Sequence, residues 1–175
     1  KRPKKEVNML MNLFISTIKE NQQHFLKNKI KIKIIGSIHD LPKKCQVIIN
    51  DMVDATKENE VLTLTLALSY SARNEIIQAI NKILTAKTKD FQEPITEQFF
   101  HQQLQTFDLP DPELLIRTSG EKRISNFLLW QIAFSELYFS EKKWPDFDVK
   151  ELYMAIIEYQ KRERRFGKTT EQITD

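Results

Sequence analysis

The stretch Val61-Leu62-Thr63-Leu64-Thr65-Leu66-Ala67-Leu68-Ser69-Tyr70 decides the fold. Its even side is the more apolar, but neither side carries a charge. A strand of this kind is expected to be covered on both faces, as in parallel sheets. Upstream, Ile30, Ile32 and Ile34 alternate with Lys31 and Lys33 before Ile35 and Gly36, which reads as a second strand punctuated by glycine. Pro42 to Glu58 between them reads as a helix. Glu6 to Leu26 is another, because Val7, Leu10, Met11, Phe14, Ile15 and Ile18 recur at helical spacing. Pro3 stands near its start, where a missing N–H costs little. Residues 73–86 continue as a helix through Ile76, Ile77, Ile80, Ile83 and Leu84. Strands alternating with helices predict an α/β fold with a mostly parallel central sheet flanked by helices.

Further along, Thr96 to Gln105 is expected to be helical, with Thr96 opening it as a cap. Leu114-Leu115-Ile116-Arg117 reads as a short buried strand and Leu137-Tyr138-Phe139 as another. Asn126 to Phe134 is apolar nearly all round, which predicts a buried helix. Val149 to Phe166 closes the pattern as an amphipathic helix. The 175 residues suit one domain. At 41% apolar and 29% charged they describe a globular chain rather than a disordered one. The lone Cys45 excludes an internal disulfide framework and fits a reducing compartment. A net charge of +3 is too small to imply nucleic acid, and aromatic residues do not interleave with a continuous basic face. The basic residues cluster instead in Lys1–Lys5 and Lys161–Lys168.

Ligands of parallel sheets bind beyond the carboxyl ends of the strands, which directs attention to Ser69–Arg73 and Arg117–Ser125. In the second segment a buried strand runs into a loop holding Arg117, Thr118, Ser119, Gly120, Arg123 and Ser125. Ser125 or Asn126 is expected to cap the next helix. A helix N-terminus with two arginines suits a phosphate or diphosphate. A capped helix with surface arginines in ion pairs is the plainer alternative. No nucleotide P-loop, dinucleotide fingerprint or serine-hydrolase elbow occurs, and His24, His39 and His101 lack zinc-ligand spacing.

The run from Arg117 to Gln131, continued through Glu136 to Phe139, closely resembles the signature of cis-prenyltransferases, the undecaprenyl and dehydrodolichyl diphosphate synthases. Arg2-Pro3 with Glu6-Val7, Ile34-Ile35-Gly36, Tyr70 to Ile76, Trp144-Pro145-Asp146-Phe147 and Arg162 to Gly167 are similar to further family stretches in the same order. The resemblance implies an enzyme that condenses isopentenyl diphosphate with an allylic diphosphate, usually farnesyl diphosphate, forming Z double bonds with Mg2+. It implies that Arg117, Arg123 and Ser125 hold the isopentenyl diphosphate and that Glu136 helps place the metal. It assigns Arg2 and Glu6 to a substrate loop, and Arg165 and Gly167 to a phosphate contact across a homodimer. Leu62, Leu64 and Leu66 line a product tunnel on this resemblance, although plain sheet core explains them equally well. Trp130, Phe127 and Phe134 read as core, Glu121 as a capping or supporting carboxylate, and Arg73 as an ion-pair partner fixing its loop.

The chain departs from the family at Ser69–Arg73, where bacterial members commonly carry two glycines. The family's aspartate-bearing loop for the allylic diphosphate has no counterpart after Lys1. Residues 1–175 are therefore expected to be the C-terminal two-thirds of a single catalytic domain, with the catalytic aspartate upstream of Lys1. A non-catalytic partner subunit of a heteromeric enzyme is the alternative, but such partners tend to lose the arginine loop that is intact here. The resemblance implies a cytoplasmic location, with peripheral membrane association through the lipid product, at the ER face in a eukaryote.

Overall fold

The computed structural model describes residues 4–86 and 94–163. The chain divides between Tyr70 and Ser71 into two compact units. In the first, α1 (Lys4–Lys27) leads into β1 (Ile30–Gly36), a short 3-10 turn at Ile38–Asp40, α2 (Lys43–Thr56) and β2 (Leu62–Leu68). β1 and β2 pair in parallel, from Ile30 opposite Leu62 to Gly36 opposite Leu68, so α2 is the crossover of a βαβ unit. Ile18 of α1, Ile32 of β1 and Cys45, Ile49 and Met52 of α2 form the buried core.

One hydroxyl ties this crossover together. Thr56 is fully buried at the end of α2; its Oγ1 accepts from the Ile32 N–H at 3.0 Å and donates to the Met52 carbonyl at 2.9 Å. A β1 amide whose residue is buried is thus satisfied from the helix. At the other end of the pair, Gly36 has φ +105°, and a Cβ there would lie 2.0 Å from the Leu68 carbonyl oxygen. Only glycine permits that approach.

Coverage of β2 is less complete than its uncharged sequence predicts. Leu66 and Leu68 pack against the core, but Leu62 and Leu64 are 56% and 38% exposed. The reason is local: α1 and α2 both pack on β1, and among the described residues β2 has β1 as its one ladder partner.

The second unit contains α3 (Ala72–Ala86), the short α4 (Glu97–His101), β3 (Leu114–Arg117), β4 (Glu136–Phe139), a 3-10 turn at Trp144–Asp146 and α5 (Val149–Gln160). Thr96 caps α4 as expected, its Oγ1 accepting from the Phe99 N–H at 3.1 Å. Asp148 caps α5 by accepting from the N–H groups of Lys150 and Glu151. β3 and β4 pair in parallel, so among the described residues each unit holds one parallel pair. Ala79, Ile83, Phe100 and Leu104 form this unit's core, and Trp130 packs on it with its ring centroid 4.6 Å from that of Phe100.

The helix expected over Asn126 to Phe134 does not form. The segment is a series of turns with a single i to i−4 bond, from the Ile132 N–H to the Leu128 carbonyl. Ser125, Asn126 and Leu128 have φ of +51°, +60° and +47°, a left-handed backbone that a right-handed helix excludes. Phe134, read as core, is 72% exposed. Among the described residues no helix is long and apolar enough to cross a membrane.

Candidate functional site

The loop after β3 is shaped by its own backbone. The Ser140 N–H donates to the Arg117 carbonyl, and the Ser119 and Gly120 N–H groups donate to the carbonyls of Lys142 and Ser140 at 2.7 and 2.9 Å. Ser119 and Gly120 adopt φ of +72° and +65° to turn there. These bonds fix the exit of Arg117 from the sheet and send the chain back toward Arg123. Arg117 and Arg123 then line one cleft of about 210 Å³, walled by Leu115, Ile116, Ile124 and Phe127.

The two arginines differ in their surroundings. Among the described residues the half-buried Arg117 forms no ion pair. Arg123 pairs with Glu121, but the side chains are 64% and 39% exposed. An exposed pair of this kind contributes about 0–1 kcal/mol, so an arriving anion displaces Glu121 at small cost. Glu121, read as a capping carboxylate, is therefore the resting partner of Arg123. Of the two readings of this loop, the arginine cleft is present, whereas the helix N-terminus meant to complete it is not.

What replaces that N-terminus is Asn126, whose role the sequence reading misplaced. Asn126 caps α3 instead of a helix of its own. Its carbonyl accepts from the Ala72 N–H at 3.0 Å, its Oδ1 accepts from the Arg73 N–H at 3.0 Å, and its Nδ2 donates to Ser71 Oγ at 2.8 Å. The first two backbone donors of α3, which lack partners within the helix, are met in this way. Arg73 is held by its backbone rather than through an ion pair, and its guanidinium forms none among the described residues. Ser71 occupies the departure from the family pattern and supplies the hydroxyl that orients Asn126. A clue was in the sequence, since asparagine caps helices and tolerates a left-handed backbone. Which helix it caps depends on contacts more than fifty residues away.

Behind this loop Glu75 is buried. One of its oxygens accepts from the Gln105 N–H at 2.9 Å and the other from Gln131 Nε2 at 3.1 Å, which also donates to Thr106 Oγ1 at 2.8 Å. This network holds the segment after Asn126 against α3.

Glu136 lies elsewhere. It opens β4 opposite Leu114, whereas Arg117 ends β3 opposite Phe139. The two positions are three residue steps apart along the strands, about 10 Å along the sheet. Arg162, just beyond α5, donates through Nη1 to Glu136 Oε2 at 2.9 Å and to the Leu137 carbonyl at 3.0 Å, and through Nη2 to Glu158 Oε1. Its bonds to Glu136 and then Glu158 raise its pKa above the ordinary guanidinium value. Glu136 Oε1 has no partner among the described residues. No group of three His, Cys, Asp or Glu placed to hold a metal occurs among them either. Ser125 is exposed beside the cleft. The side chains of Arg2, Glu6, Arg165 and Gly167 lie outside the described residues.

Comparison with known proteins identifies the family. The prenyltransferase profile described as "Putative undecaprenyl diphosphate synthase" matches residues 1–167. An isoprenyl transferase of Fusobacterium nucleatum is 49% identical over 166 residues, covering 95% of this chain and 70% of that protein. A Coxiella burnetii relative named ditrans,polycis-undecaprenyl-diphosphate synthase ((2E,6E)-farnesyl-diphosphate specific) is 42% identical, over 98% of this chain and 73% of its own length. The chain thus spans about seven-tenths of the length of these relatives. Among solved structures, lavandulyl diphosphate synthase of Lavandula x intermedia, in complex with dimethylallyl diphosphate, superimposes with a TM-score of 0.91 at 34% identity, over 96% of this chain and 74% of that one. A probable undecaprenyl diphosphate synthase of Campylobacter jejuni gives 0.83 at 35% identity, covering 95% and 77%. With a profile match that takes in the arginine loop and both parallel strand pairs, the chain belongs to the undecaprenyl diphosphate synthase family of prenyltransferases.

Proposed function

We propose that the protein adds isopentenyl diphosphate units to an allylic diphosphate, farnesyl diphosphate, to make a long-chain Z-polyprenyl diphosphate. In each addition one carbon–carbon bond forms, the allylic diphosphate departs with the electron pair, and the isopentenyl unit loses a proton. The observation that carries this reading is the single cleft shared by Arg117 and Arg123 beyond the carboxyl end of β3. Two forked guanidiniums match the oxygens of a diphosphate that keeps its bond to carbon. Arg117 stands ready without an ion-pair partner among the described residues, and Arg123 exchanges Glu121 for the ligand. Ser125 adds a hydroxyl from the cleft's edge. Holding the non-reacting end of isopentenyl diphosphate turns the encounter with the second substrate into an oriented, effectively unimolecular step. The Coxiella relative's name supports farnesyl diphosphate as the allylic partner.

The proposal includes a homodimer in which Arg165 and Gly167 of one protomer contact phosphate in the other. In its support, Val149, Tyr153 and Ile157 recur every four residues along α5 and are 62%, 59% and 43% exposed. That is one apolar helix face, suited to a second copy. Magnesium is the divalent cation that the family resemblance implies, and the assay supplies it.

Incorporation of labelled isopentenyl diphosphate with farnesyl diphosphate and Mg2+, run on the full-length protein, tests the reading. Chelator-sensitive incorporation into a butanol-extractable product is expected. Absence of incorporation, or indifference to chelator, overturns it.

A further inference from the structure

Arg162 ties the start of β4 to the end of α5. One guanidinium joins three acceptors on two elements: Glu136 Oε2 and the Leu137 carbonyl at the start of β4, and Glu158 Oε1 on α5. The Arg162 N–H donates to the Tyr159 carbonyl at 3.0 Å, so its backbone also continues the turn that ends α5. The side chain is 29% exposed and that of Glu136 is 28% exposed, which shields the pair from much of the solvent screening that weakens surface ion pairs. The bonding of Glu136 is one-sided: Oε2 is held and Oε1 has no partner among the described residues. A carboxylate gripped by one oxygen keeps a fixed direction for the other.

We propose that Arg162 is a positioning residue: it aims the free oxygen of Glu136. This inference rests on the prenyltransferase reading and deepens it, by naming the group that orients a carboxylate implied in the site. Neither lysine nor glutamine reproduces the arrangement. An ammonium is a compact point donor that lacks the planar fork of a guanidinium, and a glutamine amide brings no charge to two carboxylates.

The test compares Arg162→Gln, Arg162→Lys, Glu136→Gln and the Arg162→Gln/Glu136→Gln double variant in the full-length protein, with KM measured separately for each diphosphate. Arg162→Gln is expected to raise the KM for isopentenyl diphosphate roughly tenfold, within the range of coupled contacts, while the KM for farnesyl diphosphate stays within about twofold. Arg162→Lys recovers part of that loss. The double variant is expected to be no worse in isopentenyl KM than the poorer single variant, because both changes break one connection. A purely structural arginine would lower thermal stability and affect both substrates alike. An unchanged isopentenyl KM, equal rises for both substrates, or fold-changes that multiply in the double variant overturn the inference while leaving the prenyltransferase reading intact. If the wild-type protein fails to incorporate isopentenyl diphosphate, both fall.

Discussion

Replacing Asn126 separates two contributions that the structure combines in one residue. Its Oδ1 accepts from the Arg73 N–H at 3.0 Å, and its backbone sits at φ +60°. Asn126→Ala removes the acceptor, a capping loss of about 1 kcal/mol. It also places a Cβ without a local hydrogen bond in the left-handed region, for about 1 kcal/mol more. The sum, about 2 kcal/mol, corresponds to a fall in Tm of roughly 4–8 °C for a chain of this size. Asn126→Asp keeps the acceptor and the tolerance for that backbone. It loses the donation from Nδ2 to Ser71 Oγ, about 0.5–1.5 kcal/mol, and gains about 0.3–1 kcal/mol from a negative charge at the N-terminus of α3. Asn126→Asp should therefore remain within about 1 kcal/mol of wild type. Urea unfolding followed by circular dichroism, together with thermal melts, reads both variants. The KM for isopentenyl diphosphate should rise in the alanine variant, because Ser125 adjoins the disturbed residue. If alanine and aspartate destabilise equally, or alanine costs nothing, then Asn126 does not cap α3 and the account of this loop is wrong.

Three further outcomes are expected. Arg123→Ala should raise the KM for isopentenyl diphosphate roughly 10- to 100-fold, as loss of a charge-assisted bond of about 1.5–3 kcal/mol requires, with far less effect on farnesyl diphosphate binding. Its Tm should barely move, since the pair with Glu121 is exposed; equal effects on both substrates would contradict the assignment. Thr56→Val strands the Ile32 N–H in a buried place and should cost about 1–3 kcal/mol, whereas Thr56→Ser, which keeps the hydroxyl, should cost less; a reversed order in urea midpoints would refute the role of Oγ1. Gly36→Ala forces a Cβ to within 2.0 Å of the Leu68 carbonyl oxygen and should cost about 3 kcal/mol or more, so a variant with an unshifted unfolding midpoint would show that β1 and β2 do not approach as described.

Much of the fold was legible because local patterns report burial directly. The alternation of Ile30, Ile32 and Ile34 marked β1, and the strand and its parallel partner formed where the pattern placed them. Thr96 announced α4 because a cap acts within three residues of itself. The arginine loop was legible for a different reason: the residue types that bind diphosphate are few, and they stand close together in the chain. The segment after it misled, because an apolar run reports burial without reporting backbone conformation. Trp130 is packed as that run predicts, yet the residues around it are turns.

The order of helices and parallel strands, and the two arginines of the cleft, are written in the sequence of this protein, since periodicity and side-chain chemistry are properties of near neighbours. Tertiary structure alone decided that Asn126 serves α3, that Arg162 binds Glu136, and that Glu136 stands about 10 Å along the sheet from Arg117. Each of these depends on strand register or on bonds between residues 25 or more positions apart. Such partners meet only once the chain has closed the long loops between them, and a one-dimensional pattern holds no measure of that distance.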